Sequence, residues 1–183
     1  MRNIYFKKLT LLSVAAMFFF ISGCGYTTQS LLPAEFKTIY IENFTNQIDT
    51  IAPSSNVRMY RGYKPGMELE VTRHIRNKYL FDGNLKVVEY DDADLILKGK
   101  LVDFRNEALR YDREDNVEEY RIRLVVDLEL KTRDGRTKWV ETNFAGEELY
   151  RTSGPLVESE STAIKKAADD LARRVVERTV EEW

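Results

Sequence analysis

The segment that most constrains the fold is the alternating run "EEYRIRLVVDLELKTRDG", which spans residues 118–135. Apolar side chains occupy every second position, and charged side chains occupy the positions between them, with Val125 as the exception. A period of two predicts a β-strand with one buried and one solvated face, as in antiparallel sheets. The apolar face consists of Tyr120, Ile122, Leu124, Val126, Leu128 and Leu130. The rest of the chain must supply a layer that covers this face.

Neighbouring segments predict the other strands. "RDGR" contains Asp134-Gly135, a strong hairpin signal, and "TKWVETNFAGEELY" then returns as the next strand. "DDADLILKGKLVDFRNEAL" predicts a longer strand before the hairpin, "LKVVEY" a short one, and "KTIYIENF" (37–44) the first one. The alternating apolar positions are Ile39 and Ile41 in the first strand and Leu95, Leu97 and Leu101 in the long one.

Two segments have helical periodicity. "MELEVTRHIRNKYLF" repeats apolar residues four apart and stops at "DGN", where Gly83 suits a turn. "ESESTAIKKAADDLARRVVERTVEEW" predicts a helix of about twenty residues, which Ser159 or Ser161 would cap. The predicted buried stripes are Met67, Val71, Ile75 and Tyr79 in the first helix, and Ile164, Ala167, Ala168, Leu171, Val175 and Thr179 in the second.

These elements predict an α+β fold: a two-layer sandwich with two helices packed on one face of a mostly antiparallel four-stranded sheet. The charged face of the sheet is then left to water or to a partner. The segment Thr45–Gly66 is polar, contains two of the four prolines and is predicted to be a loop. Its end is rich in basic and aromatic residues, namely Arg58, Tyr60, Arg61, Tyr63 and Lys64. They are interpreted as part of a solvated loop, with a functional loop as the alternative.

The N-terminus carries the pattern of an export signal. Three cations in "MRNIYFKK" precede an uncharged run from Leu9 to Ile21, which is shorter than the roughly 20 residues of a membrane span. The run ends in "ISGC", which resembles a bacterial lipobox, and this explains why the only cysteine, Cys24, lies there. In such signals the thiol is acylated and the cysteine becomes the first mature residue.

The domain organisation follows from this cleavage site. Residues 1–23 are predicted to be a lipoprotein signal peptide, residues 24–36 an acylated tether, and residues 37–183 one domain. The expected modification is a diacylglycerol and an N-acyl chain on Cys24, which would anchor the protein to a membrane. Residue 25 is Gly and not Asp, and the absence of this inner-membrane retention signal favours the outer membrane, on its periplasmic side.

Composition and motifs argue against catalysis and against nucleic acid. The formal net charge of −2 falls to about −5 without the three cations of residues 1–23, so no basic domain exists for a nucleic acid. No phosphate-binding loop or nucleophile motif occurs, and His74, the only histidine, is interpreted as a solvated helix residue. Asp91, Asp92 and Asp94 are interpreted as a polar turn before a strand, with a weak cation site as the alternative. We expect no enzyme activity, no metal and no cofactor.

One charged cluster suggests a binding site. Four cations flank the predicted Asp134-Gly135 turn: Lys131, Arg133, Arg136 and Lys138. Arg and Lys pair well with phosphate groups, so the hairpin tip is a candidate anion site. The alternative interpretation is that the cations only protect a sheet edge and keep it soluble.

Several of these segments together resemble the LptE family of lipopolysaccharide-assembly lipoproteins. The resemblance rests on "CGYTTQSLLP" after the lipobox, "KTIYIENFTN", "LEVTRHI", "DADLILKGKLVDF", "EEYRIRLVVDLEL" and the long final helix. It implies an outer-membrane lipoprotein that plugs an LptD-type β-barrel and assists lipopolysaccharide transport and insertion into the outer leaflet. The basic hairpin tip would then meet lipopolysaccharide phosphates.

A second class of function stays open from the same residues. "TIYIENFTN", an amphipathic helix and "ADLILKG" are also similar to TolB-N-terminal-like and CsgG-like periplasmic domains. Such a lipoprotein would act as an activator or scaffold in envelope assembly and would bind a synthase domain instead of a barrel.

Overall fold

The structure is a computed structural model that describes residues 32–48, 59–60 and 64–181. Cys24 and the predicted signal peptide lie outside these residues, and so do Arg58, Arg61 and Tyr63 of the predicted loop. Within the described ranges no helix is both long and apolar enough to cross a membrane.

Seven strands and two helices make up the described chain. The strands are β1 (Thr38–Ile41), β2 (Thr45–Asn46), β3 (Met59–Tyr60), β4 (Lys86–Val87), β5 (Leu95–Tyr111), β6 (Val117–Thr132) and β7 (Thr137–Arg151), and the helices are α1 (Met67–Asp82) and α2 (Glu160–Val180). A short 3-10 helix, Tyr90–Asp92, precedes β5. All strands belong to one sheet of order β4-β1-β5-β6-β7, and β2 and β3 pair with β5.

The α+β class is confirmed, but the prediction of a mostly antiparallel four-stranded sheet is wrong in detail. β1 pairs in parallel with both β4 and β5, whereas β5, β6 and β7 form an antiparallel meander. The sheet is mixed because α1 separates β1 from β4 and carries the chain back to the end where β1 begins. The predicted strand "LKVVEY" is reduced to Lys86–Val87.

The prediction of a loop from Thr45 to Gly66 is also only partly right. Thr45 and Asn46 pair with β5 at Lys100 and Leu101, and the backbone of Met59 and Tyr60 pairs with β5 at Glu107 and Asn106. A two-residue strand has no periodicity to detect, because its pairing is decided by the strand beside it.

One face of the sheet is buried in the hydrophobic core. The apolar set predicted for β6 is buried from Ile122 to Leu130, and only Tyr120 at the far end is half-buried. The register of β5 shifts between Leu101 and Asp103, so that Phe104 and not Asp103 continues the buried row. The predicted alternation of Leu95, Leu97 and Leu101 is confirmed up to this β-bulge.

Both helices turn their predicted stripes toward this face. Met67, Val71, Ile75 and Tyr79 are buried in α1, and every predicted apolar position of α2 is buried. Ser159 caps α2 by accepting a hydrogen bond from the Thr162 amide at 3.1 Å, which confirms one of the two predicted caps. The buried Tyr79 and Thr179 hydroxyls hydrogen-bond at 2.6 Å and join the two helices.

Two glycines let other parts of the chain approach the sheet closely. A Cβ atom at Gly99 of β5 would collide with the ring of Phe44, which is buried in the core. A Cβ atom at Gly146 of β7 would lie 2.5 Å from the Ala167 carbonyl oxygen and 2.5 Å from the Leu171 amide nitrogen of α2. The helix therefore rests on the backbone of the strand at this point.

The outer edge of β7 is closed by side chains of α2. Asp170 accepts a hydrogen bond from the Glu147 amide at 3.1 Å, and the Arg174 guanidinium donates to the Ala145 carbonyl at 2.5 Å. Further along, the Glu158 amide donates to the Arg151 carbonyl at 2.9 Å. An edge strand normally offers free main-chain groups, and here several of them are used.

Candidate functional site

The predicted basic hairpin tip is built on a tight turn between β6 and β7. Gly135 has φ 87°, and its amide donates to the Thr132 carbonyl at 2.9 Å. The buried Thr132 hydroxyl donates to the Asp134 carboxylate and accepts from the Arg136 amide at 3.2 Å. The hydrogen bond from Thr132 is the main reason that the pKa of Asp134 is lowered. The tip is therefore a rigid platform for the cations around it.

The four predicted cations do not share one environment. Lys131 pairs with Glu129 at 2.9 Å and Arg136 pairs with Asp134 at 2.7 Å, while the Lys138 ammonium lies 4.6 Å from the centroid of the Phe36 ring. Arg133 is exposed, and no described side chain accepts a hydrogen bond from it. The structure thus places Arg133 and Arg136 at the end of the hairpin, Lys131 against Glu129 of β6, and Lys138 against Phe36, which precedes β1.

The acidic turn before β5 is structural. Asp94 accepts hydrogen bonds from the Lys37 and Thr38 amides at 2.9 and 3.0 Å, and the Thr38 hydroxyl accepts from the Asp94 amide at 2.8 Å. The Lys37 amide is the first cause of the lowered pKa of Asp94. No group of three His, Cys, Asp or Glu side chains among the described residues is placed to hold a metal ion. Tyr90–Asp92 form a short 3-10 helix with no buried residue just before β5, and this confirms the interpretation as a polar turn.

The stabilisation that the Asp94 hydrogen bonds provide should depend on pH. Asp94→Ala leaves two amides without their acceptor, and we expect a loss of about 1–2 kcal/mol of unfolding free energy at pH 7. The folded pKa lies below the ordinary value of 3.8, so the stabilisation exists above that value and is lost as the pH falls through the folded pKa. Urea unfolding of both proteins from pH 7 to pH 3 should show the difference shrinking below about pH 5.

The exposed Asp91 is the matched control for that experiment. Asp91 lies in the same acidic turn, and Asp91→Ala should change the unfolding free energy by less than about 0.5 kcal/mol. If the difference in unfolding free energy between Asp94→Ala and the wild type stayed constant across the whole pH range, the charge of the carboxylate would have no part in these hydrogen bonds.

The prediction that His74 is a solvated helix residue is wrong. Its side chain is 17% exposed, and its Nδ1 atom lies 2.5 Å from a carboxylate oxygen of Asp169. The pair bridges α1 and α2. No sequence signal indicated this, because the partner lies 95 positions further along the chain.

The second candidate surface is the face of the sheet that the helices leave uncovered, here called the open face. Its charged side chains come from alternate positions of β5, β6 and β7, and the register places most of them opposite a charge of the other sign. Such cross-strand pairs stabilise a sheet modestly. The complementary pairs are Lys98 with Glu129, Lys100 with Asp127, Glu107 with Arg121, Arg110 with Glu119, Arg151 with Glu119, and Arg123 with Glu147.

A shallow groove crosses this face toward the end of the sheet that carries the β6–β7 hairpin. It has a volume of about 450 Å³, and its lining includes Lys98, Lys100, Asp127, Glu129 and Val140. The groove lies over the backbone of Gly99 and Leu128. The alternating charges of β6 predicted a wet face, but they gave no means of locating this groove, which depends on the register between strands.

Fold and site together define a two-layer α+β domain that buries one face of a sheet under two helices and presents charged side chains on the other. Residues 36–179 match the model of the LptE family, described as lipopolysaccharide assembly, and the chain belongs to this family. The family is not an enzyme family, and its described role is the assembly of lipopolysaccharide. No curated protein sequence matches the chain.

Several solved structures are similar to this chain at low sequence identity. The hypothetical protein CT253 from Chlamydia trachomatis has a TM-score of 0.50 at 9% identity, over 78% of this chain and 95% of that one. The PelC dodecamer from Paraburkholderia phytofirmans has a TM-score of 0.46 at 15% identity, over 85% and 96%. Rare lipoprotein B from Shewanella oneidensis has a TM-score of 0.41 at 14% identity, over 75% and 91%. At 9% identity the likeness to CT253 concerns the fold alone.

Proposed function

We propose that this protein is an outer-membrane lipoprotein, acylated on Cys24 and held on the periplasmic side. It assembles with an LptD-type β-barrel as its plug and assists the transport and insertion of lipopolysaccharide. Membership of the LptE family supplies the general role in lipopolysaccharide assembly. The anchor, the barrel partner and the binding residues are the proposed parts.

The open face is the observation that best supports the plug. The lumen of an outer-membrane barrel is polar, so a protein that fills it must present polar groups without exposing a core. Ion pairs on the open face meet this requirement: Arg105 contacts Asp103 at 2.6 Å, Lys98 contacts Glu42 at 3.2 Å, and Arg123 contacts Glu147 at 3.2 Å. The helical layer on the other face keeps the domain rigid without help from a partner.

The proposed lipopolysaccharide contact is the hairpin tip formed by Lys131, Arg133, Arg136 and Lys138. Exposed guanidinium groups bind phosphate with two parallel hydrogen bonds, and Arg133 and Arg136 are the two guanidinium groups of the cluster, both exposed. Arg136 donates to Asp134 through Nε, and a guanidinium has four further N–H donors. Lys131 and Lys138 add charge nearby as single ammonium groups. The proposed contact therefore rests mainly on the two arginines.

Replacing those two arginines tests the tip. Arg133→Ser with Arg136→Ser should weaken binding of purified lipopolysaccharide about tenfold, because two charge-assisted contacts are lost. Replacing all four cations by Ser should weaken it further. Lys165→Ser with Arg173→Ser on the exposed side of α2 removes the same charge and should leave binding unchanged. Equal affinity of the tip variant and this control would remove the tip from the proposal.

The partner is tested by capture of the tagged, acylated protein from its own outer membrane in mild detergent. Mass spectrometry should find a large β-barrel in stoichiometric amount together with lipopolysaccharide. Recovery of a cell-wall synthase instead would overturn the plug and favour the activator role that the TolB-N-terminal-like resemblance suggested.

A further inference from the structure

One cross-strand pair on the open face breaks the pattern of all the others. Arg105 of β5 lies directly opposite Arg123 of β6, whereas every other charged pair in register on this face combines opposite signs. Like charges placed directly opposite each other destabilise a sheet. A local rule broken in an otherwise consistent sheet is expected where function requires it.

The guanidinium groups around this pair have unused donors. Arg105 is held by Asp103 at 2.6 Å and lies 3.8 Å from Glu107, which is also opposite Arg121 in the register. Arg121 and Arg123 both lie near the carboxylate of Glu147, at 3.9 and 3.2 Å, and neither of these two contacts has hydrogen-bond geometry. Each guanidinium has five N–H donors. The side chains of Arg121 and Arg123 are 38% and 36% exposed, so a ligand in solution can reach them.

The surroundings combine this charge with apolar surface. Beside Arg121 lies Leu149, which is 51% exposed, and the two line an open groove of about 330 Å³ with Glu147 and Glu148. In the row beyond Arg123 and Glu147, the apolar side chains of Val125 and Ala145 are 5% and 7% exposed.

We propose that Arg121 and Arg123, with Arg105 beside them, form a second anion site that binds a phosphate group carried on an amphiphile. A phosphate offers three acceptor oxygens and nearly two negative charges, so it can bridge two guanidiniums better than the one carboxylate that they now share. Leu149 contacts the apolar part of the same ligand. The site is distinct from the hairpin tip. With lipopolysaccharide as its ligand, the site deepens the proposed function and rests on it.

The test compares a double variant, Arg121→Gln with Arg123→Gln, against a control that carries Arg110→Gln with Arg151→Gln, all in the full acylated chain in non-ionic detergent. Arg110 and Arg151 lie on the same face and pair with Glu118 and Glu119 at 3.0 and 3.6 Å, so the control removes the same charge from ordinary ion pairs. Inorganic phosphate should raise the melting temperature of the wild type and the control more than that of the double variant.

Lipopolysaccharide should bind the double variant at least about tenfold more weakly. Lipopolysaccharide stripped of phosphate should no longer distinguish the double variant from the wild type. Phosphatidylglycerol vesicles, whose phosphate is a diester, test whether a phospholipid headgroup binds the site instead.

A second readout separates this site from an ordinary ion pair. Arg123→Gln removes the like-charge pair, so without ligand its melting temperature should be unchanged or higher. A marked fall would make Arg123 a structural partner of Glu147 and overturn the site. Equal phosphate responses in the double variant and the control would also overturn it, even if the tip variants lose lipopolysaccharide. Loss of the barrel from the double variant, with phosphate binding intact, would assign the arginines to a carboxylate of the partner instead.

Discussion

Gly146→Val should abolish cooperative folding of the domain, and Gly146→Ala should already cost about 3 kcal/mol or more. The atoms that a new side chain would meet are the Ala167 carbonyl oxygen and the Leu171 amide nitrogen, both at 2.5 Å. These belong to the backbone of α2 and cannot rotate aside, so the whole helix would have to move off the sheet. Overpacking a core ordinarily costs about 1–3 kcal/mol, and total stability is only about 5–15 kcal/mol. Urea unfolding followed by circular dichroism measures the effect.

Gly154 provides the control for the glycine substitution itself. It has φ 84°, and no atom lies within 4 Å of the position that a Cβ atom would take, so Gly154→Ala should cost only about 1–2 kcal/mol of backbone strain. If Gly146→Ala unfolded at the same urea concentration as Gly154→Ala, the close seating of α2 on β7 would be contradicted.

The second large effect concerns Phe44, whose ring occupies the space above Gly99. Phe44→Ala should cost about 3–5 kcal/mol, because the ring is 2% exposed and its loss leaves a cavity. The backbone of Phe44 is held from α1, since the Thr72 hydroxyl accepts a hydrogen bond from the Phe44 amide at 3.0 Å. Gly99→Ala should cost about 1–3 kcal/mol, because the buried ring must shift within a packed core to make room for the methyl group.

The two changes should compensate each other. In the protein with Phe44→Ala and Gly99→Ala together, the new methyl group enters the space that the ring vacates. We expect the double variant to be about 1–3 kcal/mol more stable than the sum of the single effects predicts. Strict additivity in urea unfolding would mean that ring and glycine do not share this space.

The spacing of apolar residues, two apart in the strands and three or four apart in the helices, was sufficient to predict the meander and both helices. The apolar positions of β6 define a face whatever their neighbours are, and the stripes of α1 and α2 fix which side of each helix is buried. The parallel pairing of β1 could not be predicted in this way, because a strand alternates equally well in either direction. Gly99 and Gly146 carried a signal, since glycine inside a strand often marks a close approach of backbone.

Of the two candidate binding sites, one could be predicted from the sequence and the other could not. The cations of the hairpin tip were found because they are neighbours in sequence around one turn. The opposition of Arg105 and Arg123 was not, because it depends on a register that the β-bulge between Leu101 and Asp103 resets. A one-residue change in register reverses which side chains share a face. Surfaces assembled across strands therefore need the structure.

The closed edge of β7 has a consequence for how this sheet chooses its partners. Main-chain pairing along an edge accepts almost any extended strand, since every residue offers the same donor and acceptor. Asp170, Arg174 and Glu158 occupy main-chain groups of β7, and β4 at the other edge is only two residues long. Main-chain pairing with another protein is therefore restricted at both edges. Recognition is left to side chains, which differ from one protein to the next, so a partner must match their pattern of charges.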